Sequence, residues 1–268
     1  MEIPVPAPRP GLVLVLLVDL DLDPDLTALR RLGGFFVLRT VRGGSGPVSE
    51  SLPTLAETYA TATPDVHRNA LTFRVDTVGH RLRTTEPRVA ASIAHQGLAA
   101  RLWSAALACA ALYGRLPDLD PGLLRWDAAA GAPDDLWLTE VRPVPGDAAT
   151  LADSVLHGHL EPLGETLTAR YGVATGLLWG NTGSALAGAY RELDRWARAG
   201  GRDEVADRAR GLTDALFAHP LLRTTGTRTG TAFRRRSCCL YYRVPGGGVC
   251  GDCCFTRPPR SSPRGASG

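Results

Sequence analysis

Apolar residues set the outline of this chain. Between residues 86 and 114 the sequence is dominated by Ala and Leu, and Leu98, Leu102, Ala105, Cys109 and Leu112 recur every three to four positions. That spacing places them on one helical face, and Pro87 falls where a helix tolerates proline, in its first turn. Cys109 is therefore expected in the core as a small hydrophobe. Further helices are predicted over 149–159, from Pro162 to about Gly172, over 176–199 and over 203–218. Leu186, Tyr190, Leu193 and Ala197 share a face of the fourth, and Gly200 and Gly201 end it. Strand-like alternation occurs at Leu71, Phe73 and Val75, with 78–83 as a hairpin partner, and again over 136–141. Residues 1–35 read as a loosely ordered arm with one short helix or strand. Residues 36–66 read as loop, with a turn at Gly43, Gly44, Ser45 and Gly46. The pattern predicts an α+β fold that is mostly helical: a helix-rich body with a minor β component and a small C-terminal cysteine module.

Length and charge narrow the classes. The chain has 268 residues, enough for a sizeable core in one large domain or one domain plus a small appendix. An apolar content of 44% with 21% charged residues excludes a disordered chain. No apolar run reaches the roughly 18 residues of a bilayer span, which leaves only peripheral membrane contact open. Residues 11–17 are apolar but lack the basic start, length and cleavage site of a secretory signal, so a cytoplasmic protein with reduced thiols is expected. Asp19, Asp21, Asp23 and Asp25 alternate like the start of a calcium loop. Pro24 and Arg30 stand where that loop needs Gly and Glu, so the segment reads as a solvated acidic turn.

Charge is unevenly spread. The chain contains no lysine, and its formal charge is +3. Residues 223–268 hold nine arginines and one acid, Asp252, whereas residues 1–222 are net acidic. The predicted organisation is a helix-rich body over 1–222, a basic cysteine-rich module over 223–255, and a disordered tail over 256–268.

Five of the six cysteines lie in 17 positions, as Cys238 and Cys239, ten residues, Cys250, two residues, Cys253, and then Cys254. In a reducing compartment such a cluster points to a metal. Residues 240–244 alternate like a strand, and Pro245 to Gly248 can reverse the chain, carrying Cys253 back toward Cys238 and Cys239 at little loop-closure cost. Four thiolates suit Zn²⁺ or an iron–sulfur cluster. Adjacent cysteines fit one tetrahedral ion less well, because neighbouring side chains of an extended segment point to opposite sides. The spacing favours iron–sulfur and leaves zinc open. Arg234, Arg235, Arg236 and Arg243, with the amides of Gly246 to Gly248 and Gly251, would favour an added electron on an anionic centre. Other signals carry less. His157 and His159 read as surface helix residues, and the glycines of 43–46 lack a βαβ setting. With no nicotinamide or flavin fingerprint in the sequence, electrons are expected from a partner.

The stretch Arg235-Arg236-Ser237-Cys238-Cys239-Leu240-Tyr241-Tyr242-Arg243, continued by Gly248-Val249-Cys250-Gly251-Asp252-Cys253, resembles the C-terminal signature of the FhuF-like ferric-siderophore reductases. Leu178-Trp179-Gly180-Asn181 and the helix order are similar to that family as well. The resemblance implies a [2Fe–2S] cluster held by Cys238, Cys239, Cys250 and Cys253, with Cys254 spare and a Cys250–Cys254 pairing as the alternative. It implies one-electron reduction of a ferric siderophore, expected to be a hydroxamate, with release of Fe(II) in the cytosol and no catalytic residue beyond the cluster. A ferredoxin or separate reductase would donate the electron. Tyr241, Tyr242, Arg243 and Trp179 are the residues where docking is looked for first. Two other classes stay in view: a zinc-stabilised module binding protein or nucleic acid, and a siderophore-biosynthesis protein with a structural cluster. Nucleic acid is not expected as a partner, since no amphipathic recognition helix follows the cysteines.

Overall fold

The computed structural model describes residues 23, 26–41, 51–60 and 69–259. Its helices are α1 (Leu55–Tyr59), α2 (Ala70–Leu82), α3 (Pro87–Tyr113), α4 (Ala148–Leu151), α5 (Glu161–Tyr171), α6 (Thr175–Ala199) and α7 (Asp203–Ala218). Everything is arranged around α3. Its Ala-rich surface is buried on nearly all sides, so neighbouring helices approach closely along its whole length. α6 and α2 pack along it, α7 covers both α3 and α6, and Cys109 of α3 is fully buried. Pro87 opens α3 and Gly114, in the left-handed region, closes it.

The β component is small. β1 (Arg39–Thr40) pairs parallel with β4 (Leu136–Leu138), which pairs antiparallel with β3 (Leu124–Trp126). β2 (Arg115–Pro117) pairs antiparallel with β5 (Pro143–Pro145). A buried ion pair ties this layer to α3: Arg101 Nε donates to Asp135 at 2.8 Å. The same guanidinium donates to the carbonyls of Phe35 and Val37, which fixes the 34–37 segment against the helix.

Several expectations need correction. Residues 71–75 and 78–83 form one helix, α2, and no hairpin. The side chain of Asn69 caps it by accepting from the amides of Leu71 and Thr72, and Leu71 and Val75 are buried while Phe73 is 49% exposed. Five residues of alternation fit spacing i, i+4 equally well, and the cap decided. The helices expected over 149–159 and from Pro162 are one continuous rod, because α4 runs through a π-helical segment, Ala152–Leu160, into α5. That segment leaves His157 half-exposed against Glu161 but turns His159 inward. His159 is fully buried between the Tyr59 hydroxyl (3.0 Å) and the Leu119 carbonyl (2.6 Å), which corrects its placement on the surface. Within the N-terminal arm, Thr27–Leu32 is a 3₁₀ helix. Asp23 is a structural group there, accepting from Thr27 and Ala28 and from the Tyr113 hydroxyl at 2.8 Å. Asp19, Asp21, Asp25, Gly43, Gly44, Ser45, Gly46 and residues 260–268 of the expected tail lie outside the described residues.

Candidate metal centre

The cysteine segment is brought to the body by a hairpin, β6 (Gly226–Thr229) and β7 (Ala232–Arg235), laid across α6. Two glycines of α6 make room. A Cβ at Gly183 would meet Thr225 and Phe233, and one at Gly180 would collide with Ser237 Oγ and Arg235. Glycine at two positions three apart in a helix is the sequence signal for this close approach. After β7 the chain carries Cys238 and Cys239 over the N-terminal half of α3. Residues 240–244, expected as a strand, are a 3₁₀ turn, Tyr241–Arg243, because Leu240 takes a left-handed conformation (φ 69°). The reversal at Pro245 and Gly246 occurs as expected, closed by the amide of Gly247 donating to the Val244 carbonyl.

All six cysteines are free thiols. Cys239 Sγ and Cys250 Sγ lie 3.5 Å apart, and Cys238 lies in the field of Cys253 and Cys254. Among the described residues, no three His, Cys, Asp or Glu side chains close on one point as a single-ion site. One regularity runs through the segment. The sulfurs of Cys238 and Cys253 accept from the amides of Leu240 (3.3 Å) and Phe255 (3.4 Å). Those of Cys239 and Cys250 face the amides of Tyr241 and Asp252. Each of these four sulfurs thus meets the N–H two residues on, a pattern that stabilises negative sulfur. Cys254 departs from it, facing only its own amide and the Cys253 thiol.

Beneath the sulfurs lies Arg235, which is 1% exposed. Its guanidinium donates to Asn181 Oδ1 (2.5 Å), Gln96 Oε1 (3.2 Å) and the Leu177 carbonyl (3.4 Å), all neutral acceptors. Asn181 donates to the Ser92 carbonyl, and Ser92 Oγ donates to the Cys239 carbonyl at 2.8 Å. Gln96 donates to Ser184 Oγ (3.2 Å), which donates to Asp252 Oδ2 (2.6 Å). This belt of α3 and α6 side chains was not legible in the sequence, apart from the two glycines that let it close. Burial pushes the Cys238 and Cys254 thiols up; the positive field of Arg235 is a smaller, opposite contribution at both, and it also acts toward the thiolate at Cys239 and Cys250. The contact with Cys250 and the Tyr241 amide, opposed by burial, bring the Cys239 thiol down to about 7. The same contact and burial push the Cys250 thiol up. Burial, reinforced by Arg235, lowers His95 to about 3 and keeps it neutral.

The other arginines are differently placed. Arg243 is neutralised by Glu86 at 2.8 Å, and Arg234 donates to the Cys254 carbonyl. Tyr242 stands edge-on to Phe255, and Trp179 lines a separate cavity of about 370 Å³ with His95 and Thr182.

Sulfurs met by amides above a buried cation with no acid beside it fit an anionic metal–sulfur centre. The class is that of a helix-rich iron–sulfur protein: residues 235–255 match the FhuF 2Fe-2S C-terminal domain, so the cofactor is a [2Fe–2S] cluster. Residues 94–229, just over half of the chain, match the family described as ferric iron reductase FhuF-like transporter, and the chain belongs to that family. It is accordingly an oxidoreductase acting on iron. No curated protein matches the chain. Among the described residues, no helix is long and apolar enough to cross a membrane.

Proposed function

We propose that this protein reduces ferric siderophores, of the hydroxamate type, by one electron and releases Fe(II) in the cytosol. Membership of a ferric iron reductase family supplies the reaction class. The observation that supports the site assignment is the amide two residues beyond each of Cys238, Cys239, Cys250 and Cys253, which favours these four as the cluster ligands and Cys254 as the spare. When bound, the cluster supplies a one-electron couple at the protein surface.

The rest follows from the substrate. Fe(III) is a hard ion held tightly by anionic oxygens, and Fe(II) has lower charge density and softer preferences, so one added electron loosens the chelate. No nucleophile or general base is required. The chain must hold a chelate close and keep the centre at a workable potential, which is a matter of proximity and electrostatics. Arg235 holds positive charge under the sulfurs, and the belt through Gln96, Asn181 and Ser184 keeps that charge in place. Residues 223–255 act as the redox module and the helical body as the docking platform. A ferredoxin or separate reductase donates the electron.

Protein purified without oxygen should contain about two irons and two acid-labile sulfides per chain. Dithionite-reduced protein should then be reoxidised by a ferric trihydroxamate, with Fe(II) captured by a ferrous-selective chelator in proportion. Colourless, zinc-loaded protein would overturn the reading, as would a reduced cluster that the chelate leaves reduced.

A further inference from the structure

Beside the cysteine loop opens a cleft of about 480 Å³, within the usual size of a small-molecule site. Its floor is formed where α3 and α6 cross and is kept open by small residues, among them Ala100, Ala185 and Gly188. One wall is the 33–36 segment, whose Phe35 is 51% exposed. That wall is fixed from behind, because Arg101 holds the Phe35 and Val37 carbonyls and is itself held by Asp135. The rim carries Arg191, Glu192 and Asp252. Asp252 connects the cleft to the metal centre. It stands between Cys250 and Cys253 in the chain, and its amide faces the Cys250 sulfur. Its carboxylate lies on the cleft side, accepting from Ser184 Oγ at 2.6 Å and Arg191 Nη1 at 3.4 Å. The 370 Å³ cavity next to Trp179 contains no residue of the cysteine loop.

We propose that this cleft seats the substrate, a neutral ferric tris-hydroxamate, with its edge against Arg191 and Asp252. The inference rests on the reductase reading above and adds to it a place and a charge preference. Three monoanionic hydroxamates neutralise Fe(III), whereas three catecholates leave a trianion. With Asp252 and Glu192 on the rim offsetting the neighbouring arginines, the cleft has no net positive charge to hold a trianion and tolerates a neutral chelate. The small-residue floor and Phe35 suit methylene arms, and the Arg191 side chain, 39% exposed, offers donors to carbonyl oxygens. Each acid is paired, Asp252 with Arg191 and Glu192 with Arg195, so the rim carries no net charge.

Gly188 gives a clean test. A Cβ there meets only Arg191 Nη2, at 3.9 Å, so a side chain can be rooted at this position of the cleft lining, and Gly188→Phe adds bulk there. Binding is measured on the cluster-loaded full chain by calorimetry, using the redox-inert gallium(III) tris-hydroxamate. Wild-type protein is expected to bind it, and Gly188→Phe to bind at least about tenfold more weakly with its visible spectrum unchanged. Arg191→Gln, which removes the partly exposed charge paired with Asp252, is expected to weaken binding severalfold. Gallium(III) tris-catecholate is expected not to compete. Absence of binding to the wild type, or full-strength binding by a Gly188→Phe protein with an intact spectrum, would overturn the site. Equal binding of the catecholate would overturn the charge argument. A wild-type protein that binds the gallium chelate normally but cannot reduce the ferric one would leave the site standing and sink the reductase reading instead.

Discussion

Two arginines are fully buried among the described residues, and they are held in opposite ways. Arg101, in the body, is neutralised by Asp135 at 2.8 Å and serves as a strut between α3 and the 34–37 segment. Arg235, under the cysteine segment, has only amide and carbonyl acceptors. A buried charge without a counter-ion costs several kcal/mol, so the second arrangement is favourable only when an anion occupies the space above it. The difference separates a region that is complete by itself from one built around a charged cofactor. The cysteines divide the same way. Burial pushes the Cys109 thiol up with no amide or cation to oppose it, whereas the module thiols, although Cys238, Cys250 and Cys254 are raised as well, lie among amides and next to a cation that act toward the thiolate.

Four tests break or sharpen this comparison. The largest effect is expected at the ligands: Cys250→Ser should abolish iron and sulfide binding, while Cys254→Ser should keep about two of each per chain. Elemental analysis decides, and the reverse result would exchange the two in the ligand set. Next is the body's strut. Asp135→Ala leaves Arg101 buried and unpaired, and should cost about 3–5 kcal/mol in urea unfolding of the apo protein. A loss under about 1 kcal/mol would mean that the pair carries little of the body's stability. Third, Gly183→Val forces Thr225 and Phe233 away from α6 and should cost about 1–3 kcal/mol, with cluster content falling as the hairpin loosens. The smallest effect is electrostatic. Arg235→Gln removes the charge while keeping a hydrogen-bonding side chain, and should lower the midpoint potential by about 60 mV or more, a tenfold change for one electron. The sign follows because the reduced cluster carries more negative charge than the oxidised one. An unchanged potential in an otherwise normal protein would leave Arg235 a structural residue like Arg101.

The long helices were legible because each carries a sustained apolar period and its own stop. α3 ends at Gly114, α6 at Gly200, and α7 spans Asp203–Ala218, the range its pattern predicts. Short segments misled: residues 71–75 fit two periods, and residues 240–244 depend on the φ of a single leucine. A thiolate-held metal was legible because cysteine spacing along the chain limits where sulfur can go; that spacing left zinc open, and the family resemblance narrowed it to a [2Fe–2S] cluster. Which side chains support it was not, because Gln96, Asn181 and Ser184 are unremarkable polar residues until α3 and α6 pack side by side. Local order and ligand chemistry are properties of neighbouring residues and can be read in one dimension. The pairing of Arg101 and the isolation of Arg235 are properties of distance in space, which only the folded chain sets.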